Sequence, residues 1–144
     1  PSFNRRGTSL RIVVDADVIA AAALAETGRA AIATNLLKRA TSKLAPAYWQ
    51  AEVANVVWKA CLLGSLTADE IDPIIRALDR LRIDSVSVRT LWRGAVARAL
   101  AMRHPVYDTL YVELAVRERC PLATFDRKLQ KAFPDVAVDP ARLL

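Results

Sequence analysis

Cysteine, histidine and methionine are scarce in this 144-residue sequence, which contains two cysteines, one histidine and one methionine. The cysteines, Cys61 and Cys120, lie far apart and outside any metal-type spacing. Neither a disulfide framework nor a zinc site is therefore predicted, and we expect both to be core thiols. Glycine is also rare, with four residues. Together with 53% hydrophobic and 25% charged residues, this indicates a compact, helix-rich protein rather than a disordered one.

Long hydrophobic runs are missing as well. No apolar run approaches the roughly 20 residues that cross a bilayer. No apolar segment of signal-peptide length follows Arg5 and Arg6, so we expect a cytoplasmic protein. The length suits a single core. Residues 1–144 are predicted to form one domain, with residues 1–9 as a flexible N-terminal arm.

Short apolar segments alternate with segments of helical periodicity along the chain, and this alternation predicts a parallel, doubly wound α/β sheet. The predicted strands are a first one ending before Asp15, then Lys43–Pro46, Arg82–Val88, Pro121–Phe125 and Val136–Val138. The predicted helices are Ile19–Ala25, Ala30–Ala40, Ala47–Leu63, one that runs from a Thr67–Glu70 capping box to Leu81, Arg89–Met102, Pro105–Arg119 and Asp126–Ala132. The alternating pattern of Arg82–Val88 favours a place near a sheet edge.

Four acids lie in apolar settings near strand ends or helix starts. Asp15 and Asp126 follow predicted strands, Asp108 lies in the first turn of a helix, and Glu52 lies at the rim of the buried side of its helix. If the first and fourth strands are neighbours, their carboxyl ends bring Asp15 and Asp126 together. Asp108 then enters from the helix before the fourth strand.

Carboxylates that are so close repel one another unless divalent cations neutralise them, and oxygen-rich clusters suit Mg²⁺ or Mn²⁺. Such a site supports metal-assisted hydrolysis of phosphodiesters without a histidine base. We accordingly expect His104 to be a loop or surface residue. Each acid also has a structural explanation, because Asp108 can satisfy the helix dipole, Asp126 can be an N-cap, and Glu52 can pair with Lys59 or a distant arginine.

Four segments resemble, in order and spacing, the PIN domain family and more narrowly the VapC-type toxins of bacterial toxin-antitoxin pairs. They are Val13-Val14-Asp15-Ala16, then Pro46 followed by Glu52-Val53-Ala54-Asn55-Val56, then Val106-Tyr107-Asp108-Thr109-Leu110-Tyr111, and Leu122-Ala123-Thr124-Phe125-Asp126-Arg127-Lys128. The resemblance runs from about Ile12 to Val138. It implies a three-layer α/β/α fold with a central parallel sheet of four to five strands.

The resemblance also implies an activity and its site. The protein would be a Mg²⁺- or Mn²⁺-dependent endoribonuclease that hydrolyses RNA phosphodiester bonds as the toxin of a type II pair. It would be a homodimer, inhibited by a cognate antitoxin encoded beside it. The implied catalytic residues are Asp15, Glu52, Asp108 and Asp126, with Asp15, Asp108 and Asp126 as the metal ligands and Glu52 completing the site. The sequence departs from the family at Asp17, where serine or asparagine is more common.

Asp17 leaves two alternatives open. Asp15-Ala16-Asp17-Val18-Ile19 also fits the nucleophile motif of haloacid dehalogenase-type phosphatases, in which the first aspartate attacks phosphorus. Those enzymes also need a later lysine and a further acidic pair, whereas Asp126 is followed by Arg127 and Lys128. A non-catalytic RNA-binding module with the same fold is the other alternative.

Basic residues outnumber acidic ones by 21 to 15, which gives a formal net charge of +6 and is compatible with a nucleic-acid partner. Arg127 and Lys128 are predicted to contact substrate phosphates because they begin a helix beside the acids. A solvated charged face is an equally good interpretation of Arg89, Arg93, Arg98 and Arg103. A docking surface for a second copy or an antitoxin helix is predicted because Tyr48, Trp49, Trp58 and Leu62 cannot all point the same way.

Overall fold

Five parallel strands form the central sheet of the computed structural model, which describes residues 9–25 and 28–144. The strands are β1 (Arg11–Val14), β2 (Ser42–Pro46), β3 (Asp84–Val86), β4 (Leu122–Ala123) and β5 (Ala137–Val138). Their order is β3-β2-β1-β4-β5, so the condition that β1 and β4 are neighbours is met, and β3 is an edge strand as predicted. The predicted N-terminal arm falls mainly on residues 1–8, which lie outside the described residues.

Seven helices in the described part of the chain flank the sheet in a three-layer α/β/α arrangement. They are α1 (Ala16–Ala23), α2 (Ala30–Arg39), α3 (Trp49–Leu62), α4 (Ile71–Arg80), α5 (Val88–Met102), α6 (Val106–Glu118) and α7 (Arg127–Ala132). α1 packs against α2 and α3, whereas α6 packs against β1, β2 and α5. None of the helices in residues 9–25 and 28–144 combines the length and apolar character that a bilayer crossing requires.

The core is built around β1, whose Ile12, Val13 and Val14 are fully buried because neighbouring strands and helices cover both faces. The predicted capping box at Thr67 and Glu70 is confirmed, and it opens a short 3-10 turn that continues into α4.

Three local predictions need correction. α1 begins at Ala16 rather than Ile19, since Asp15 is its N-cap. α3 ends at Leu62, and the next residue, Leu63, is 81% exposed although its spacing placed it on the apolar face. Cys61 and Cys120 are free thiols but only half-buried, because Cys61 lies in the last turn of α3 and Cys120 follows the end of α6, rather than within the core.

A buried carboxylate joins α5 to α6. The carboxylate of Glu113 accepts hydrogen bonds from Arg98 Nε at 2.7 Å and from Arg117 Nε at 2.8 Å. It lies directly over Gly94 of α5, where an added Cβ would come within 2.3 Å of Glu113 Oε1. Arg98 is therefore part of an ion-pair cluster rather than of a freely solvated arginine face. The pairing also explains why the helix carries glycine at this position.

Candidate functional site

The acidic site begins where β1 and β4 end side by side. Val14 pairs with Ala123, and the Asp15 backbone N–H donates to the Ala123 carbonyl at 3.0 Å. The buried hydroxyl of Thr124 donates to Asp15 Oδ2 at 2.7 Å and accepts from the Asp126 backbone N–H at 3.0 Å. One hydroxyl thus links the two predicted acids. Thr124 belongs to the segment that carries the family resemblance, but no role at the site was predicted for it, although its place two residues before Asp126 was a usable signal.

Asp126 is the N-cap of α7. Its Oδ1 accepts from the backbone N–H groups of Lys128 at 2.9 Å and Leu129 at 3.2 Å. The structural explanation offered for this residue is therefore confirmed. Capping uses one carboxylate oxygen, so the capping role and a functional role at Oδ2 are compatible.

Asp108 lies in the first turn of α6, and its partner is His104. The distance between Asp108 Oδ2 and His104 Nε2 is 2.9 Å. His104 lies in the loop between α5 and α6, as predicted, but it is not a surface residue, since only 12% of its side chain is exposed. Burial raises the pKa of Asp108, and the hydrogen bond from His104 opposes that shift.

Glu52 projects from the first turn of α3 and is held by a tyrosine. Its Oε1 accepts from the Tyr111 hydroxyl at 2.7 Å, across 59 residues of sequence. The proposed pairing with Lys59 or an arginine is wrong for the described residues, because the ion pairs found among them do not include Glu52. Burial raises the pKa of Glu52, and the Tyr111 hydrogen bond lowers it in part.

Asp17, the extra acid, lies on the same side of the site. Its Oδ2 accepts from the Phe125 backbone N–H at 3.1 Å, while its buried Oδ1 has no hydrogen-bond partner among the described residues. Burial is the main reason that the pKa of Asp17 rises to about 7, and the charge of Asp126 adds to it. Asp17 therefore links the first turn of α1 to the segment that follows β4.

The four predicted acids share one electrostatic environment. Burial, followed by the charge of Asp17, raises the pKa of Asp15 well above its ordinary value, and Asp108 and Glu52 raise it further. Asp108 in turn is affected by Asp126. The structure thus brings together carboxyl groups that lie up to 111 positions apart in the sequence. Like charges in a buried place are costly unless a cation neutralises them.

The donor atoms also fit a small divalent cation. Among the described residues, one group meets the spacing of a single ion: His104, Asp108 and Asp126 each offer an atom within 4.8 Å of the others. Asp15 and Glu52 are not part of that group, but they lie close enough for the charge of Asp108 to raise the pKa of each. Carboxylate oxygens with one imidazole nitrogen suit Mg²⁺, Mn²⁺ and related ions.

The two predicted phosphate contacts lie beside this site. Arg127 and Lys128 are exposed and form the first turn of α7, directly after Asp126. Their position is compatible with a polyanion approaching the acids along the edge of the sheet.

The sequence matches the model of the PIN domain over residues 12–134, which is most of its length. The chain belongs to the PIN domain family. Among its curated relatives, this PIN domain is 31% identical over 124 residues to Ribonuclease VapC3 of Mycobacterium tuberculosis, covering 86% of this chain and 88% of the relative. It is 33% identical over 129 residues to Ribonuclease VapC3 of Pyrobaculum aerophilum, covering 87% and 96% respectively.

A solved structure agrees with the PIN fold. The protein PAE2754 from Pyrobaculum aerophilum superposes with a TM-score of 0.65 at 20% identity, over 99% of this PIN domain and 94% of the other chain. The likeness bears on the fold, and it supports the three-layer arrangement with a five-stranded parallel sheet. The predicted resemblance to the PIN domain family is confirmed by the family model and by the curated relatives.

Proposed function

We propose that this PIN domain is a divalent-metal-dependent endoribonuclease and acts as the toxin of a type II toxin-antitoxin pair. The observation that carries the metal dependence is a group of carboxyl groups, buried at Asp15 and half-buried at Glu52 and Asp108, whose pKa values are raised by burial and by neighbouring acids. The names of the curated relatives, both ribonucleases, support RNA as the substrate.

The proposed roles follow from the contacts of each side chain. Asp15, Asp108 and Asp126 would hold Mg²⁺ or Mn²⁺, and Glu52, oriented by Tyr111, would complete the site. Thr124 positions Asp15 relative to the backbone of Asp126. When bound, the cation supplies Lewis acidity and lowers the pKa of a water that can attack phosphorus.

Metal-dependent cleavage is the direct test. EDTA-treated protein is expected not to cut a mixed RNA substrate, and Mg²⁺ or Mn²⁺ is expected to restore cutting, because the cation supplies the charge stabilisation and the lowered pKa of water that the reaction needs. Gel analysis of end-labelled RNA measures the products. Cutting that persists in EDTA contradicts the proposed metal dependence. RNA binding without any cut product in either metal would instead favour the non-catalytic binding module.

The phosphatase alternative is weaker. It requires a lysine beside Asp15, whereas the charged groups that shift the pKa of Asp15 in the described part of the chain are the acids Asp17, Asp108 and Glu52. Membership of the PIN family also counts against it. Detection of an aspartyl-phosphate or fluoroberyllate adduct on Asp15 would restore this alternative.

Lys128 offers a test of how RNA is held. Lys128→Ala is expected to weaken RNA binding and to reduce the slope of log affinity against log salt by about 1, since one phosphate contact is lost. Filter binding at several salt concentrations, with Ca²⁺ replacing Mg²⁺, measures the slope. Lys38→Ala, an exposed lysine on α2, serves as the matched control. An unchanged slope for Lys128→Ala would remove Lys128 from the phosphate contacts.

We propose that the antitoxin segment binds between α3 and α4. A groove of about 230 Å³ there is lined almost wholly by apolar side chains, including Val57, Trp58 and Ile75. An amphipathic helix or extended apolar segment fits such a groove. A small DNA-binding protein encoded directly upstream would support the pairing. Trp58→Ala is expected to weaken the binding of that protein, and unchanged binding would mean that the contact lies elsewhere.

A homodimer is proposed through α5. Trp92, Val96 and Leu100 are exposed by 59%, 43% and 78%, and their spacing of four residues makes a continuous apolar stripe. Such a stripe can meet its own copy across a two-fold axis. Sedimentation is expected to give about twice the 15.8 kDa chain mass, and Trp92→Ser is expected to shift the protein towards monomer. A wild-type monomer would contradict the proposal.

A further inference from the structure

His104 is held in place from three directions. The backbone of Arg103 adopts a left-handed conformation that ends α5, and the His104 N–H donates to the Ala99 carbonyl at 3.1 Å. The imidazole packs edge-to-face on Phe133, with ring centroids 6.2 Å apart. Its Nε2 faces Asp108. The ring is thus fixed at the acidic site by residues of the α5–α6 turn and of α7.

The spacing of the donor atoms suits a shared ion. His104 Nε2 and Asp108 Oδ2 are 2.9 Å apart. Adjacent ligands of an octahedral ion with bonds of about 2.1 Å lie about 3.0 Å apart. Asp126 brings a third donor atom within 4.8 Å of both. Its Oδ1 already caps α7, so the carboxylate is held in a fixed direction.

We propose that the imidazole of His104 is a direct ligand of the divalent cation, together with Asp108 and Asp126. The inference rests on the proposed metal-dependent function and deepens it. A nitrogen ligand favours Mn²⁺ over Mg²⁺, because imidazole binds transition ions better than it binds Mg²⁺. The protein is therefore expected to select Mn²⁺ more strongly than a site made of carboxylates alone.

The chain contains a single histidine, which makes the test unambiguous. Pulsed EPR of tag-free protein loaded with one equivalent of Mn²⁺ is expected to show coupling to a directly bonded ¹⁴N. Labelling the protein with ring-¹⁵N histidine is expected to convert that signal to the ¹⁵N pattern. Both signals report on ligation and do not depend on RNA cleavage.

Two variants separate ligation from simple positioning. His104→Gln keeps an N–H donor for Asp108 but removes the imidazole, whereas His104→Leu removes both. Both variants are expected to lose the nitrogen coupling and to bind Mn²⁺ about tenfold or more weakly by calorimetry, with a smaller change for Mg²⁺. Far-UV circular dichroism and thermal unfolding establish that each variant is folded, and the wild-type spectrum alone remains decisive if neither folds.

Each result has a distinct meaning. Tight Mn²⁺ binding without nitrogen coupling, or His104→Gln with wild-type Mn²⁺ affinity, overturns ligation by His104 and leaves the proposed function intact. Failure of the wild-type protein to bind Mn²⁺ or Mg²⁺ at all overturns both the inference and the metal-dependent function.

Discussion

Asp15→Asn is expected to abolish RNA cleavage and, in the same protein, to raise the stability of the metal-free fold. Activity should fall by about 10³-fold, because loss of a carboxylate ligand removes several kcal/mol of charge stabilisation and each 1.36 kcal/mol is a factor of ten. The asparagine oxygen can still accept the hydrogen bond that Thr124 now donates to Asp15 Oδ2. The loss is therefore one of charge rather than of geometry.

The gain in stability has an electrostatic cause. Asp15 is 8% exposed, and its charged neighbours are the acids Asp17, Asp108 and Glu52. Removing its charge relieves both desolvation and repulsion, and we expect the free energy of unfolding to rise by about 1 kcal/mol, as is common when a functional site is neutralised. The clustered acids of such a site lower the stability of the metal-free fold, although the activity requires them.

Urea unfolding in EDTA at neutral pH and cleavage of end-labelled RNA in Mn²⁺ measure the two effects. Asp79→Asn makes the same chemical change on the exposed surface of α4 and should alter neither quantity by more than about 0.5 kcal/mol. Wild-type cleavage by Asp15→Asn contradicts its role at the metal. A clear loss of stability in Asp15→Asn would show instead that the folded protein stabilises the charged carboxylate of Asp15.

Gly94→Ala is expected to destabilise the protein by about 2 kcal/mol, although alanine favours helices. Its Cβ would meet Glu113 Oε1 at 2.3 Å, so the carboxylate must move away from Arg98 and Arg117. Charge-assisted hydrogen bonds are worth about 1.5–3 kcal/mol each, less for partly exposed arginines, and the gain in helix propensity is about 1 kcal/mol. The loss therefore exceeds the gain.

A double-mutant cycle isolates this contact. In a Glu113→Ala background the Cβ has room, and Gly94→Ala should stabilise the protein by up to about 1 kcal/mol. Denaturant unfolding of the four proteins measures the coupling. An equal effect of Gly94→Ala in both backgrounds would mean that the carboxylate is not the obstacle.

The environment of Glu113 makes the free energy of unfolding depend on pH. Burial alone would raise the pKa of Glu113, but the hydrogen bonds and charges of Arg98 and Arg117 outweigh burial and hold the pKa below its ordinary value. The stabilisation is therefore present above the unfolded pKa and is lost as pH falls through the folded one. The free energy of unfolding should therefore decrease as pH falls below about 4.5, and Glu113→Gln should make this decrease smaller.

The sequence predicted the central features of the site because they depend on local patterns. Asp15 and Asp126 follow apolar strand segments, and parallel strands direct their carboxyl ends to one edge of a sheet. Adjacent placement of β1 and β4 was sufficient to bring these acids together. Their roles in catalysis remain predictions, as do those of Glu52 and Asp108.

The environments of His104 and Glu52 could not be predicted in this way. His104 is largely buried because the left-handed backbone at Arg103 directs it towards Phe133, which lies at the C-terminal end of α7. Glu52 is held by Tyr111, which is 59 residues away. Such partners depend on how separate helices pack, and hydrophobic periodicity carries no information about them.

The lengths of the two border strands have a consequence for how this protein assembles. β3 has three residues, with Asp84 and Ser85 exposed, and β5 has two. Neither presents enough unpaired backbone to template another chain, and a charged side chain on β3 discourages it further. Recruitment of an additional strand is thereby disfavoured at both borders, which agrees with the proposal that this protein associates through helical surfaces.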